Sequence, residues 1–153
     1  MSRIYTNDGV YLAKALRDHL NTWAGKPTTI NLEDFDGEVP SMMLQQLSGA
    51  YKKRAYIDGS YLGSYPFAIY IRVDGIDTAS RLDATGALYG LFHWLTEKDG
   101  HGKYTHLPTI DDEMTATQID MTSIPSIATR YEDGSEDYQA IFELQYNARR
   151  KTQ

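Results

Sequence analysis

The segment from Pro66 to Val73 alternates strictly between apolar and mixed positions, and this pattern constrains the fold more than any other. Its uniformly apolar positions are Phe67, Ile69, Ile71 and Val73. Side chains along a strand point to opposite faces in turn, so this period of two predicts a strand with one buried face and one half-exposed face. A strand of this kind needs neighbouring strands and an apolar layer against its buried face.

Two segments with helical periodicity are predicted to supply that layer. The first runs roughly from Asp8 to Ala24 and the second from Ala79 to Glu97. Apolar residues recur in both at every third or fourth position, which is the period of a helix. They are Leu12, Leu16, Leu20 and Trp23 in the first segment, and Ala84, Leu88, Leu91 and Leu95 in the second. Gly86 and Gly90 lie inside the second helix, and we expect a neighbouring element to pack closely against both.

Further strand patterns complete the order helix, three strands, helix, two or three strands. They are Ser41–Ser48, Ala50–Ile57, Thr117–Ser123, Ile124–Glu132 and Tyr138–Asn147, with a short strand around Ile30–Leu32 in the loop that follows the first helix. This order predicts an α+β fold in which a mostly antiparallel sheet of about five strands carries two α-helices on one face. We expect a single domain over residues 1–147 and a basic, disordered tail over residues 148–153.

The negative charge of the chain is concentrated in one quarter of the sequence. Between Asp99 and Asp137 nine acidic residues accompany two basic ones, so this segment carries −7 whereas the whole chain carries −6. Two interpretations remain open: solvated loops between strands, or a charge-matched contact surface. An acidic surface repels phosphate, so we expect no sequence-specific binding of nucleic acid. No stretch reaches the roughly 18 apolar residues of a membrane span, so we expect no membrane partner.

The sequence contains few groups that could perform catalysis. There is no cysteine, which excludes disulfides and thiolate metal sites. His101 and His106, with Asp99 nearby, could approach a metal ion, but their spacing favours two loop or strand histidines. His93 lies on an apolar helix, where a partly buried, hydrogen-bonded imidazole is the favoured interpretation. The first helix carries His19, the fourth histidine.

Acidic and basic clusters also fail to define a site. The segment from Asp34 to Gly37 does not fit a calcium loop, because Leu32 and Met43 occupy the first and last ligand positions. The run Asp111, Asp112 and Glu113 is interpreted as solvated carboxylates. The basic run Lys52, Lys53 and Arg54 lies in a strand, where alternate side chains face opposite ways. We therefore expect no enzymatic activity, no catalytic residues, no metal site and no cofactor.

Tyrosine is unusually abundant, with 12 tyrosines against 4 phenylalanines and 2 tryptophans. Most fall on or beside predicted strands: Tyr51, Tyr56, Tyr61, Tyr65 and Tyr70 around the central strands, and Tyr131, Tyr138 and Tyr146 in the last hairpin. Tyrosine packs well on a sheet, and it also supplies a large apolar surface with a polar end at protein interfaces. Both interpretations are compatible with the pattern.

The segment Tyr56–Ser60, followed by the strand Tyr65–Arg72, resembles a family of tailed-bacteriophage minor capsid proteins that are similar to tail terminators. The resemblance continues through the second helix with Leu88, Leu91, Trp94 and Leu95, and through Ser123–Ser126 into the last hairpin. It covers most of the chain from about Pro40 to Tyr146. These motifs define no catalytic residue.

This resemblance implies a structural virion protein that forms a homo-oligomeric ring, hexameric in tail terminators, at the head-proximal end of the tail tube. The ring would stop tube polymerisation and join the tail to the head. The implied partners are further copies of the chain, the tail tube protein and the head–tail connector protein, with assembly in the bacterial host cytoplasm. The alternatives are a head-closure or connector component and a small-molecule-binding α+β domain, the latter suggested by His101, His106 and the Asp111–Glu113 cluster.

Overall fold

The computed structural model describes residues 8–35, 37–48, 52–75, 78–111 and 113–149. Within these ranges the chain forms two helices and six strands. In chain order they are α1 (Asp8–Leu20), β1 (Ile30–Leu32), β2 (Ser41–Gln46), β3 (Lys52–Ala55), β4 (Tyr61–Asp74), α2 (Thr78–Thr96), β5 (Met114–Arg130) and β6 (Ser135–Ala148).

The six strands form one sheet in the order β1-β2-β4-β6-β5, with β3 also paired to β4. The β1–β2 pair is parallel, and the other pairs among the described residues are antiparallel. The predicted α+β fold, its mostly antiparallel sheet and its element order are therefore confirmed, with six strands rather than about five. The additional strand is the short β1.

The core lies on one face of the sheet, under both helices. β4 and β6 pair along 14 residues each, and Phe67 stacks on Phe142 with ring centroids 5.4 Å apart. Both predicted helical stripes and the predicted apolar face of β4 are buried in this core. Its other helix-facing members include Ile119, Ala140, Leu144 and Tyr146.

The central strand β4 begins at Tyr61, five residues before the predicted start at Pro66. Pro66 therefore lies inside the strand, although a proline cannot donate to a strand ladder. The carbonyl of Pro66 accepts a hydrogen bond from the amide of Leu47 at 3.0 Å. In an antiparallel pair the N–H and C=O of one residue point to the same side. The missing donor therefore faces the chain just past the end of β2, and the ladder to β6 is left intact.

Two predicted strands, Thr117–Ser123 and Ile124–Glu132, are in fact a single 17-residue strand, β5. Pro125 lies inside this strand, in a register shift between Ser123 and Ser126. β5 lies at the end of the strand order, and an edge strand tolerates both prolines and bulges.

Two smaller expectations about the chain need adjustment. A β-carbon at Gly90 would lie 3.3 Å from Trp23, as the prediction of close packing required, but nothing lies within 4 Å at Gly86, where the prediction is wrong. β6 extends through the buried Ala148, one residue beyond the predicted domain boundary. Residues 150–153 lie outside the described part, so the disordered tail stays a prediction.

The contact between Gly63 and Tyr146 makes a sharp test of the packing. A β-carbon at Gly63 would lie 2.2 Å from Cζ of Tyr146, whose ring is itself fully buried. We expect Gly63→Ala to lower the free energy of unfolding by about 1–3 kcal/mol, measured by urea denaturation. The control Gly86→Ala, in an exposed part of α2, should raise it by about 0.5–1 kcal/mol. Equal effects of the two substitutions would contradict this packing.

Candidate assembly surfaces

Two of the four histidines form a stack with a tryptophan between α1, α2 and the loop after α2. The ring of Trp94 lies between the rings of His19 and His106, with centroids 5.0 and 4.7 Å away. Nε2 of His19 donates to the carbonyl oxygen of His106 at 2.7 Å, and Nδ1 of His106 donates to the carbonyl oxygen of Trp94 at 3.0 Å. Burial lowers the pKa of His19 below its ordinary value. These contacts join three elements and give the histidines a structural role.

The other histidines do not assemble into a metal site. The carboxylate of Asp99 accepts hydrogen bonds from the amides of His101 and Lys103, so it closes a loop rather than facing a ligand. Within the described ranges, no group of three or more potential ligands could hold a metal ion. The expectation of a partly buried His93 is wrong, because His93 is exposed. It lies two positions from Leu91 and Leu95, on the opposite face of α2 from the buried stripe.

The acidic segment does not form one surface. Asp111 accepts hydrogen bonds from the amides of Glu113 and Met114 at the start of β5. Glu132 and Asp133 follow the other end of this strand. β5 contains several bulges and pairs with β6 only from Ala148 to Glu136, so at roughly 3.3 Å per residue these groups are separated by about 40 Å. Asp112 of the predicted carboxylate run lies outside the described residues.

Arg72 and Asp137 form a clamp on the face of the sheet opposite the helices. Two guanidinium nitrogens of Arg72 donate to the two oxygens of Asp137 at 2.7 and 3.0 Å. Tyr131 accepts from Arg72 and donates to Asp137, at 2.9 and 2.7 Å. The guanidinium also lies 4.1 Å from the ring centroid of Phe35 and 4.8 Å from that of Tyr131. The hydrogen bond to Asp137 raises the pKa of Tyr131, and both partners keep Arg72 charged by raising its pKa.

A second clamp lies on the helix-facing side, one residue away. Glu136 is 3% exposed and accepts from Arg81 at 2.9 Å, from Arg130 at 3.0 Å and from Tyr138 at 3.2 Å. Burial opposes ionisation of Glu136, but the hydrogen bonds and charge of the arginines outweigh it and hold its pKa below the ordinary value. The two carboxylates that end the acidic segment are therefore neutralised by arginines, three of them in total.

These two clamps were not predicted from the sequence. The available signal was a pair of adjacent acids inside an otherwise regular strand pattern, where each face of β6 receives one of them. A buried carboxylate needs a cationic partner. Arg72, on the mixed face of β4, pairs directly opposite Asp137 in the register, but only the sheet topology reveals this.

A repeated turn was also missed. The sequences 56–60 (YIDGS) and 131–135 (YEDGS) differ at one position, and both connect antiparallel strands. In each, the tyrosine amide donates to the serine carbonyl at 2.9 Å and the glycine amide donates to the tyrosine carbonyl at 3.1 Å. Gly59 and Gly134 adopt φ of 91° and 92°, a conformation that favours glycine. The serine amide in each turn donates to the aspartate side chain at 2.9 Å.

The tyrosines divide between the two interpretations. The core contains Tyr61, Tyr65 and Tyr146. Tyr56 and Tyr131, which begin the two turns, are exposed by 44% and 39%. Packing in the sheet thus explains the first group, and contact with a partner remains open for the second. Tyr51 lies outside the described residues.

The face of the sheet opposite the helices carries a polar network. Glu143 accepts from Lys53 and from Ser64, both at 2.9 Å, and from Gln145 at 3.1 Å. The pKa of Glu143 is lowered because these bonds outweigh the effect of burial. Lys53 of the basic run therefore forms an ion pair within the chain, with Glu143, whereas Arg54 is exposed.

Besides the exposed turns that begin at Tyr56 and Tyr131, the outer part of β5 is a second surface available for contact with a partner. Residues 122–129 contain no charged side chain, and Ile124 and Ile127 are 63% and 38% exposed. Edge strands are commonly protected by charges, prolines or bulges. This stretch has no charge but contains Pro125 and register shifts, so its exposed isoleucines, and not a regular row of backbone groups, are what it offers to a partner.

No protein-family model matches the sequence, and no curated protein matches it. The fold does match a chain from a solved structure described as "Virion of native gene transfer agent (GTA) particle". The TM-score is 0.63 at 9% sequence identity, and the match covers 94% of this chain and 100% of that chain. At this identity the likeness concerns the fold. In the part of the chain that the structure describes, no helix is long and apolar enough to cross a membrane.

The Arg72–Asp137 clamp gives a prediction about stability. Asp137→Asn removes the charge that receives two hydrogen bonds from Arg72 and one from Tyr131. We expect a loss of about 1.5–3 kcal/mol in the free energy of unfolding at neutral pH, measured by urea denaturation. Glu132→Gln, an exposed change in the adjacent turn, should stay within about 0.5 kcal/mol of the wild type. A loss no larger than that of Glu132→Gln would show that the clamp contributes nothing.

The Glu136 clamp gives a prediction about pH. Folding lowers the pKa of Glu136 from its ordinary value of 4.5. The ionised carboxylate therefore stabilises the folded protein at pH values above 4.5, and this stabilisation is lost as the pH falls through the lower pKa of the folded state. Glu136→Gln should therefore be less stable than the wild type at pH 7, and the difference should shrink below about pH 4.5. Urea denaturation of both proteins at several pH values tests this. A difference that does not depend on pH would contradict the ionic origin of the clamp.

Proposed function

We propose that the protein is a structural component of a phage-like virion and that it acts by assembly, not by enzymatic catalysis. The observation that carries this proposal is the match of nearly the whole fold with a chain from a gene transfer agent virion. The resemblance of residues between Pro40 and Tyr146 to phage minor capsid proteins points the same way, although no family model matches the sequence.

Within this class we propose a tail terminator, a ring of copies at the head-proximal end of the tail tube. Such a ring needs a contact between two different surfaces of each copy, because a head-to-tail contact can close on itself. The uncharged edge of β5 and the exposed turn at residues 56–60 are surfaces available for such contacts. The tail tube protein and the head–tail connector protein are the proposed partners.

The alternatives retain different levels of support. A head-closure or connector component would fit the same fold match, because the matched structure is described as a whole virion. The residues that suggested a small-molecule site make contacts within the chain. Asp99 and Asp111 accept hydrogen bonds from backbone amides, and His106 stacks on Trp94, so these residues no longer favour that hypothesis.

Electron microscopy of the purified chain, alone and mixed with tail tubes, tests the proposal. We expect rings, and we expect tubes capped at one end, because the proposed role is to stop polymerisation. Labelled antibody on intact particles separates the two structural roles: a label at the tube end supports a terminator, and a label on the connector supports head closure. A protein that stays monomeric and never associates with tubes or connectors would overturn the virion role.

A further inference from the structure

Ile57 occupies the one position at which the two repeated turns differ. The turn at 131–135 has the same hydrogen bonds and the same glycine conformation with Glu132 at this place. The turn geometry therefore does not require an isoleucine. Ile57 is 108% exposed, as exposed as a side chain can be. The side chain of Ile57 is fully exposed to water at the tip of a hairpin. Its burial by another molecule would lower the free energy of the system.

An apolar pocket lies at the opposite end of the sheet. It has a volume of about 320 Å³. The apolar residues that line it are Pro27, Val39, Pro40, Ile71, Val73 and Ala84. Val39 at its mouth is 51% exposed. The turn with Ile57 precedes Tyr61, the first residue of β4, whereas Val73 is near its end, so the two features are separated by about 40 Å of strand.

The charges around the two features are of opposite sign. The charged residues that line the pocket are Asp74 and Asp83, both exposed. Near Ile57, Arg54 precedes the turn and Arg149 lines the same concavity as Ile57. Asp58, in the turn itself, accepts hydrogen bonds from the amide and hydroxyl of Ser60.

We propose that Ile57 of one copy inserts into this pocket of a second copy of the same chain. The inference rests on the proposed function and names the contact that would build its ring. An apolar side chain meets an apolar pocket, and a basic surround meets an acidic rim, as complementary interfaces do. Because the two surfaces lie at opposite ends of β4, Ile57 and the pocket of one copy cannot meet each other. In the proposed ring each copy inserts its Ile57 into the next copy until the rotation closes, whereas a reciprocal exchange would close as a dimer of two copies, and sedimentation distinguishes the two.

Sedimentation of the full-length chain and two single variants tests this contact. Ile57→Glu places at the turn the residue that the second turn already carries, so the fold should tolerate it. Val39→Glu places a carboxylate at the mouth of the pocket. Covering an isoleucine is worth roughly 1.5–3 kcal/mol, so each variant should weaken self-association roughly tenfold to a hundredfold. Unchanged urea denaturation would confirm that each variant is folded, and Ile57→Gln should act like Ile57→Glu without adding a charge.

Mixing the two variants gives the sharpest result. The Val39→Glu copy keeps an intact Ile57, and the Ile57→Glu copy keeps an intact pocket. A 1:1 mixture should therefore form pairs of unlike copies, and these pairs should not grow further. The double variant Ile57→Glu/Glu132→Ile controls for non-specific hydrophobic association. It carries an isoleucine in the turn at 131–135 in place of the turn at 56–60, and it should remain monomeric.

The remaining outcomes overturn the inference in distinguishable ways. Rings that persist in Ile57→Glu would refute this contact and leave the proposed function intact. Normal self-association with lost binding to tail tubes would assign Ile57 to the tube protein instead. Mixed variants that fail to pair would show that Ile57 and the pocket do not meet. A wild type that is monomeric even with tail tubes would overturn the inference and the proposed function together.

Discussion

The pairing of β4 with β6 is the interaction on which the rest of the structure depends. Fourteen consecutive pairs align Phe67 with Phe142 and place every second residue of both strands under the helices. A slip by one residue would turn all of these side chains to the other face. Because the two strands are distant in sequence, their register must be specified by packing, and the tight fit of Tyr146 on Gly63 contributes to it.

The same register determines the charge arrangement at the end of the hairpin. Arg72 lies opposite Asp137, and the next residue, Glu136, faces the helix side, where Arg81 reaches it. Two buried carboxylates thus fix the hairpin to both layers of the fold. Removal of a cation would leave a buried charge uncompensated, so each arginine contributes to the stability of this end of the hairpin.

Periodicity predicted most of the fold from the sequence. The strand at Pro66–Val73 and the two helical stripes are strong because burial selects apolar residues at every second, third or fourth position. Pro66 and Pro125 both lie inside strands whose predicted bounds were wrong. A missing amide matters only where the ladder needs it, and that depends on which neighbour each strand edge has. The burial of single side chains was harder to predict than the strands and helices. No feature of the neighbouring sequence distinguishes His93, on the solvent side of α2, from a half-buried histidine.

The candidate surfaces were predictable only in outline. Tyrosine abundance indicated contact surfaces but not which rings are buried, because Tyr61 and Tyr56 are separated by a single turn. The acidic segment was recognisable as a charge run, whereas its division between two distant ends depends on the length of β5. The repeated turn was present in the sequence, and its meaning came from the contrast between Ile57 and Glu132 in identical geometry.

The absence of cysteine from the chain allows a direct test of assembly through opposite ends. In the double variant Ile57→Cys/Val39→Cys the two thiols of one copy lie too far apart to join, since a disulfide requires Cα atoms within about 7 Å. Mild oxidation followed by denaturing electrophoresis should yield a ladder of covalent oligomers that ends at one closed size, with neither single variant proceeding beyond a dimer. A double variant that remains monomeric after oxidation would contradict the account.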